Sequence, residues 1–123
     1  MNMVLWATQA LLALLFLVAG GLKVLRPPAA LRGMMPWVED VSRPTVIGIG
    51  VVELLGAIGL IVPGATGVAP FLTPLAASGF AVLMIGATAT HLRRGEGRLI
   101  GGNLVVLLLA GFVAYGRLGP WPT

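Results

Sequence analysis

The chain has 123 residues, 58% hydrophobic and only 10% charged, with no cysteine and a net charge of +4. Soluble domains average about 25% charged residues, so a water-exposed exterior is excluded, and the lack of thiols excludes disulfide stapling, dithiol chemistry and a thiolate metal site. The positive charge comes without a stripe of interleaved aromatic and basic residues, so it does not point to nucleic acid.

Four long apolar runs follow one another, roughly residues 4–22, 45–62, 73–92 and 99–115. At a rise of about 1.5 Å per residue, each crosses or nearly crosses a hydrocarbon core of about 30 Å. Backbone amides in lipid must bond within their own segment, so each run is predicted to be a helix. The fold class is therefore all-α: an integral membrane, antiparallel four-helix bundle, with residues 1–123 forming one transmembrane domain. The first run has no basic residue before it and is long for the core of a signal peptide, so it is expected to be a retained span.

Between the first two runs, Pro27 and Pro28 stop the first helix and Pro44 marks entry to the second by its fixed φ. The intervening Leu31, Met34, Met35, Trp37 and Val38 alternate with Arg32, Glu39 and Asp40. That mix suits first an interfacial turn with Trp37 at headgroup level; a partner-binding loop using Trp37, Arg32, Glu39 and Asp40 is the functional alternative. The link at 63–72 is a tight apolar turn. In it, Pro70 precedes the third helix, Thr73 is read as its N-cap and Pro74 as its first residue.

Seven of the eight basic residues lie in two connections: Lys23, Arg26, Arg32 and Arg43 in the first, and Arg93, Arg94 and Arg98 in the third. The link at 63–72 and the N-terminal stub have none, and the C-terminal tail has only Arg117. By the positive-inside rule, residues 23–44 and 93–98 face the cytoplasm and both termini face outward.

Within the second run, Gly50, Glu53, Gly56 and Ala57 fall three or four residues apart and share one helix face. Small residues admit a neighbouring helix, so Glu53 is expected to point into the bundle. Ala76, Gly79, Gly86 and Thr90 in the third run, and Gly111 and Ala114 in the fourth, are the corresponding packing candidates. Such residues permit a homodimer without requiring one.

Glu53 is the only carboxylate inside any run, nine residues past Pro44 and so roughly 13 Å deep at the helical rise. Lys23, Thr88, His91 and Asn103 occupy the same half of the other three spans. A charge at that depth costs about 2.5 to 3.5 kcal/mol on insertion scales, which calls for a partner. Lys23 has the reach, and His91 or Asn103 could hydrogen-bond the carboxyl. Each also has a plain reading. Lys23 could snorkel to the interface, His91 could sit there beside Arg93 and Arg94, and Asn103 could brace its own helix. Glu53 could be a protonated packing element. One histidine cannot supply a bis-histidine haem, no cluster supports a metal, and Ser42 and Ser78 lack the neighbours of a nucleophile.

Several segments together resemble the DoxX-like family. They are Gly20-Gly21-Leu22-Lys23, the stretch from Glu53-Leu54-Leu55-Gly56-Ala57 to Val62-Pro63, Leu72-Thr73-Pro74-Leu75-Ala76-Ala77, and Met84-Ile85-Gly86-Ala87 leading to Thr90-His91-Leu92-Arg93-Arg94-Gly95-Glu96, with Asn103 shortly after. The resemblance implies a small four-helix membrane protein of the cell membrane. It also implies a link to membrane redox assemblies, since the family is named for a subunit associated with thiosulfate:quinone oxidoreduction; other members resemble helpers of membrane-receptor assembly. It carries over no catalytic residue.

Three functions follow as expectations. The first is an accessory subunit of a quinone-linked membrane redox assembly, or a small-ligand-binding membrane protein, with Glu53, Lys23, His91, Asn103 and Thr88 as ligand-binding or proton-linked residues. In that case quinone is the candidate cofactor, a membrane redox protein the candidate partner, and His91 or Lys23 the donor to the quinone head. The second is a small proton-coupled transporter using Glu53. The third is an integral-membrane enzyme acting on a lipid or isoprenoid, with Glu53 as acid or base. The sequence leaves open whether any reaction is catalysed.

Overall fold

Segments that must satisfy their own amides in lipid can do so as helices, and all four apolar runs take that form. The computed structural model describes residues 1–122, with Pro28 described by its backbone alone. Helix α1 spans Asn2–Leu25, the single-turn α2 Pro28–Leu31, α3 Arg43–Thr66, α4 Leu72–Arg93 and α5 Gly97–Leu118; a 3-10 turn at Pro36–Asp40 lies between α2 and α3. No strand occurs among the described residues. The four long helices are each long and apolar enough to cross a membrane.

Each helix outruns its apolar run, because hydrogen bonding continues until a cap stops it and not until hydropathy falls. Ser42 caps α3 by accepting the Thr45 amide at 3.4 Å, and Gly67, at φ 74°, closes it. Pro63, expected to open the link, lies inside α3. A proline has no N–H for the carbonyl four residues back, here that of Gly59. Thr73 donates its hydroxyl to Gly59 O at 3.0 Å, and Gln9 donates its amide to the next carbonyl, Leu60 O, at 2.5 Å. Thr73 is therefore not the N-cap of α4. It sits within the first turn, fully buried, bonded to the helix that Pro63 interrupts.

The helices run alternately up and down in the order α1, α3, α4, α5. The most extensive packing is within two pairs, α1 with α3 and α4 with α5, and of the neighbouring helices α1 and α5 meet least. A Cβ on Gly20 would lie 2.7 Å from Gly50 O, and one on Gly50 would lie 2.8 Å from Gly20 O, so the α1 and α3 backbones touch there. Between the pairs, Phe80 of α4 packs against Gly56 of α3 and stacks on Phe16 of α1, with centroids 3.8 Å apart. Leu5 of α1 fills the space over Gly116 of α5.

The small residues expected to pack in α4 and α5 are partly displaced. Gly79, Gly86 and Gly111 are exposed, and a Cβ on any of them would meet nothing. The inward face of α5 is Ala110, Val113, Gly116 and Arg117. A small residue permits close approach but does not fix helix phase, which here follows the bulky residues at the contacts, such as Phe80 of α4 and Leu5 facing α5.

Candidate functional site

The contact between Gly20 and Gly50 sets the register of the most polar part of the bundle. One turn further along each helix stand Lys23 and Glu53, with Nζ 2.7 Å from Oε1 and side chains only 7% and 4% exposed. The pair lies on the wall of a cavity of about 780 Å³ at the end of the bundle that carries the basic connections. The 3-10 turn adds Trp37 and Asp40, whereas α4 contributes Thr90, His91 and Arg93 together with the apolar Leu83, Met84 and Ala87, and α5 contributes Asn103. Ile49 of α3 completes the apolar wall.

Lys23, Glu53, His91 and Asn103, singled out on four different helices, thus share one cavity. Asn103 is the least satisfied of them. Its amide nitrogen is buried and has no hydrogen-bond partner among the described residues. Burying such a donor unpaired costs about 1 to 3 kcal/mol. Lys23 Nζ has three N–H donors, and besides Glu53 it faces the ring of Trp37 at 5.8 Å from the centroid.

His91 is occupied differently from the expectation. Its Nδ1 lies 3.0 Å from Glu96 Oε1. An ionised carboxylate only accepts, so Nδ1 carries the proton and is already used. Arg94 Nε lies 3.2 Å from the same Glu96 oxygen as an ion pair, and Arg94 in turn reaches Asp40 in the 3-10 turn. The hydrogen bond from His91, reinforced by Arg94, holds the Glu96 carboxyl below the usual carboxylate range. Of the four residues singled out, the donors left to a ligand are therefore Lys23 and Asn103; Arg93 is a further cation on the cavity lining. Thr88 does not line the cavity; its hydroxyl bonds back to Met84 O at 2.8 Å on its own helix.

The loop candidates divide. Trp37 and Asp40 belong to the cavity, while Arg32 and Glu39 are exposed and form an ion pair at 3.6 Å. No group of three or more His, Cys, Asp or Glu able to hold a metal occurs among the described residues.

At the opposite end, the structure reveals a polar cluster that the sequence reading passed over. Arg117, counted there only as a tail charge, is a residue of α5 and 3% exposed. It donates to Gln9 Oε1 at 2.7 Å, to Asn2 Oδ1 at 2.6 Å and to Trp121 O at 2.8 Å. The available signal was Gln9, a lone amide inside the first apolar run. Its partner is 108 positions away and becomes adjacent only when α1 and α5 close the bundle.

Neither the curated proteins nor the solved structures contain a match to this chain. A family model described as the DoxX-like family matches residues 7–113, from within α1 to within α5, and with four membrane-crossing helices the chain belongs to the DoxX-like family of multi-pass membrane proteins.

Proposed function

We propose that the protein is a ligand-binding accessory subunit of a quinone-linked membrane assembly, holding the ligand's head in the cavity between Lys23 and Asn103. The observation that carries this reading is the unpartnered Asn103 amide in a cavity of about 780 Å³ whose lining combines an apolar stretch, Ile49, Leu83, Met84 and Ala87, with charged and polar groups such as Lys23, Glu53 and His91. Ligand pockets typically measure about 300 to 1,000 Å³, mostly apolar with a few placed polar groups. A quinone head is flat, apolar and offers only carbonyl acceptors. It complements two donors, Nζ of Lys23 and the amide of Asn103, facing Leu83, Met84 and Ile49. The redox association is the one that the resemblance to the DoxX-like family suggests, and the 3-10 turn at Pro36–Asp40 offers a surface for a partner. With seven of eight basic residues at this end, the cavity opens toward the cytoplasmic leaflet and both termini lie outside.

Proton-coupled exchange at Glu53 fits less well, because Lys23 already neutralises that carboxylate at 2.7 Å and a cation would have to displace it. The test is quinone content, by absorbance difference on borohydride reduction, in protein extracted from native membranes in mild detergent. Wild-type protein is expected to retain quinone above the bulk-lipid level and Asn103→Leu to lose it. Equal content in both, at the bulk level, would sink the proposal.

A further inference from the structure

Arg117 is a buried cation with no counter-charge beside it among the described residues. The sequence has four carboxylate side chains, and all are engaged at the other end of the bundle: Glu53 by Lys23, Glu39 by Arg32, Asp40 by Arg94, and Glu96 by His91 and Arg94. What surrounds Arg117 among the described residues is neutral. Gln9, Asn2 and the Trp121 carbonyl accept from Nε and Nη1, and the ring of Trp6 lies 5.2 Å from Cζ. These groups solvate the charge without cancelling it. The remaining nitrogen, Nη2, is buried and has no partner among the described residues. A fixed cation in such a place calls for an anion.

A place for one adjoins it. A hollow of about 480 Å³ opens beside the cluster, lined by Asn2, Trp6 and Trp121 together with Gly64, Pro120 and Pro122. Half of that lining, Asn2, Trp6 and Trp121, is three of the four residues around the guanidinium, and Gln9 and Arg117 do not line the hollow, so a group in it is one side chain removed from the charge. The planar guanidinium fork suits a tetrahedral oxyanion, which takes two parallel N–H bonds where a carbonyl takes one. Tryptophans such as Trp6 and Trp121 at helix ends sit at headgroup level, where phosphates are concentrated.

We propose that the Arg117 end of the bundle is an anion site for a phosphate group. In it, a phosphate oxygen replaces the Trp121 carbonyl on Nη1 and a second takes Nη2, between the rings of Trp6 and Trp121. This site is separate from the cavity between Lys23 and Asn103 and stands whether or not that cavity binds a quinone. The chemistry fits the headgroup of an anionic lipid or a free phosphate, and the experiment separates the two.

The full chain in neutral detergent would be titrated with short-chain phosphatidylglycerol, with inorganic phosphate, and with the matching uncharged diacylglycerol, following the thermal midpoint. A saturable rise with phosphatidylglycerol alone identifies a lipid headgroup; a rise with inorganic phosphate as well identifies the oxyanion itself as the determinant. Arg117→Lys keeps the charge and loses the fork, and Trp121→Ala removes one wall while leaving the Arg117 contacts in the bundle. Each is expected to weaken the half-saturating concentration roughly tenfold. No saturable rise with either anion overturns the proposal. So does a rise matched by diacylglycerol, or one unchanged in both variants.

Discussion

Removing one member of the Lys23–Glu53 pair should cost far more than removing both. At 2.7 Å and an effective dielectric of about 20, the attraction is roughly 6 kcal/mol. Desolvating two ions takes several kcal/mol each, so the net worth of the intact pair is small. A single replacement keeps one desolvation penalty and loses the whole attraction. Glu53→Gln, which leaves Lys23 buried and alone, should therefore lose about 3 to 5 kcal/mol of stability. The pair Glu53→Gln with Lys23→Met should come within about 1 kcal/mol of wild type, since two similar-sized neutral side chains then fill the site. Reversible unfolding in mixed micelles of increasing denaturing detergent, followed by helical circular dichroism, gives all four corners of the cycle. Additive single-variant losses, with coupling below about 0.5 kcal/mol, would refute the reasoning and make the contact incidental. Binding separates strut from site. A double variant as stable as wild type that still retains ligand normally would remove Lys23 from the donor set.

Three further outcomes rest on individual contacts. Thr73→Val strands the carbonyl of Gly59 and should cost about 1 to 3 kcal/mol, but much less in a Pro63→Ala background, where the backbone at that position regains an amide to donate; equal costs in the two backgrounds would contradict the account of Pro63. Gly50→Ala puts a Cβ 2.8 Å from Gly20 O and from Lys23 Cβ, so α1 and α3 must separate, with a loss of about 1 to 3 kcal/mol, whereas Gly111→Ala, with open space around it, should be close to neutral in the same unfolding assay. The α4–α5 turn should loosen in acid. The Glu96 carboxyl is lowered by His91 and Arg94, so its bonds hold at neutral pH, begin to weaken as pH falls below the unfolded value of about 4.3, and are lost as pH passes through the lower folded value. Hydrogen exchange at residues 94–98 should report this, and a Glu96→Gln variant with the wild-type pH profile would count against it.

What the sequence made legible was what the bilayer enforces. Four runs of sufficient length had to be helices, and a carboxylate flanked by Gly50, Gly56 and Ala57 had to face protein. Lys23 was readable both as a snorkelling anchor and, by the reach of its stem from the end of the first span, as a partner, and the 2.7 Å pair with Glu53 decides for the second. Helix phase was less legible. Thr88 and Thr90 are two residues apart, and only Thr90 reaches the cavity, because bulky residues such as Phe80 and Met84 decide which side of α4 turns inward. Least legible were contacts that exist only after closure of the bundle. Pro63 looked like a helix terminator because its rescue by Thr73 and Gln9 comes from two other helices. Arg117 looked like a tail charge because its partners, Asn2 and Gln9, lie at the other end of the chain.

The same connectivity explains why the cavity sits where it does. At the Arg117 end, the turn at 67–71 joins α3 directly to α4, and Thr73, Phe80, Leu5 and Gln9 tie the two helix pairs together. At the basic end, each covalent connection stays within a pair: 26–42 joins α1 to α3, and 94–96 joins α4 to α5. Nothing covalent spans the gap there, and Arg94 reaching Asp40 is the ion pair that does, with the Asp40 side chain 59% exposed. An exposed ion pair contributes at most about 1 kcal/mol, so it restrains the gap only weakly. A ligand bonded to Lys23 on α1 and to Asn103 on α5 would bridge the two pairs at the one end where the fold leaves them loosely joined. The unpartnered Asn103 donor thus lies at the end where the two pairs are least tied together, which is where an acceptor from a bound ligand would add a link.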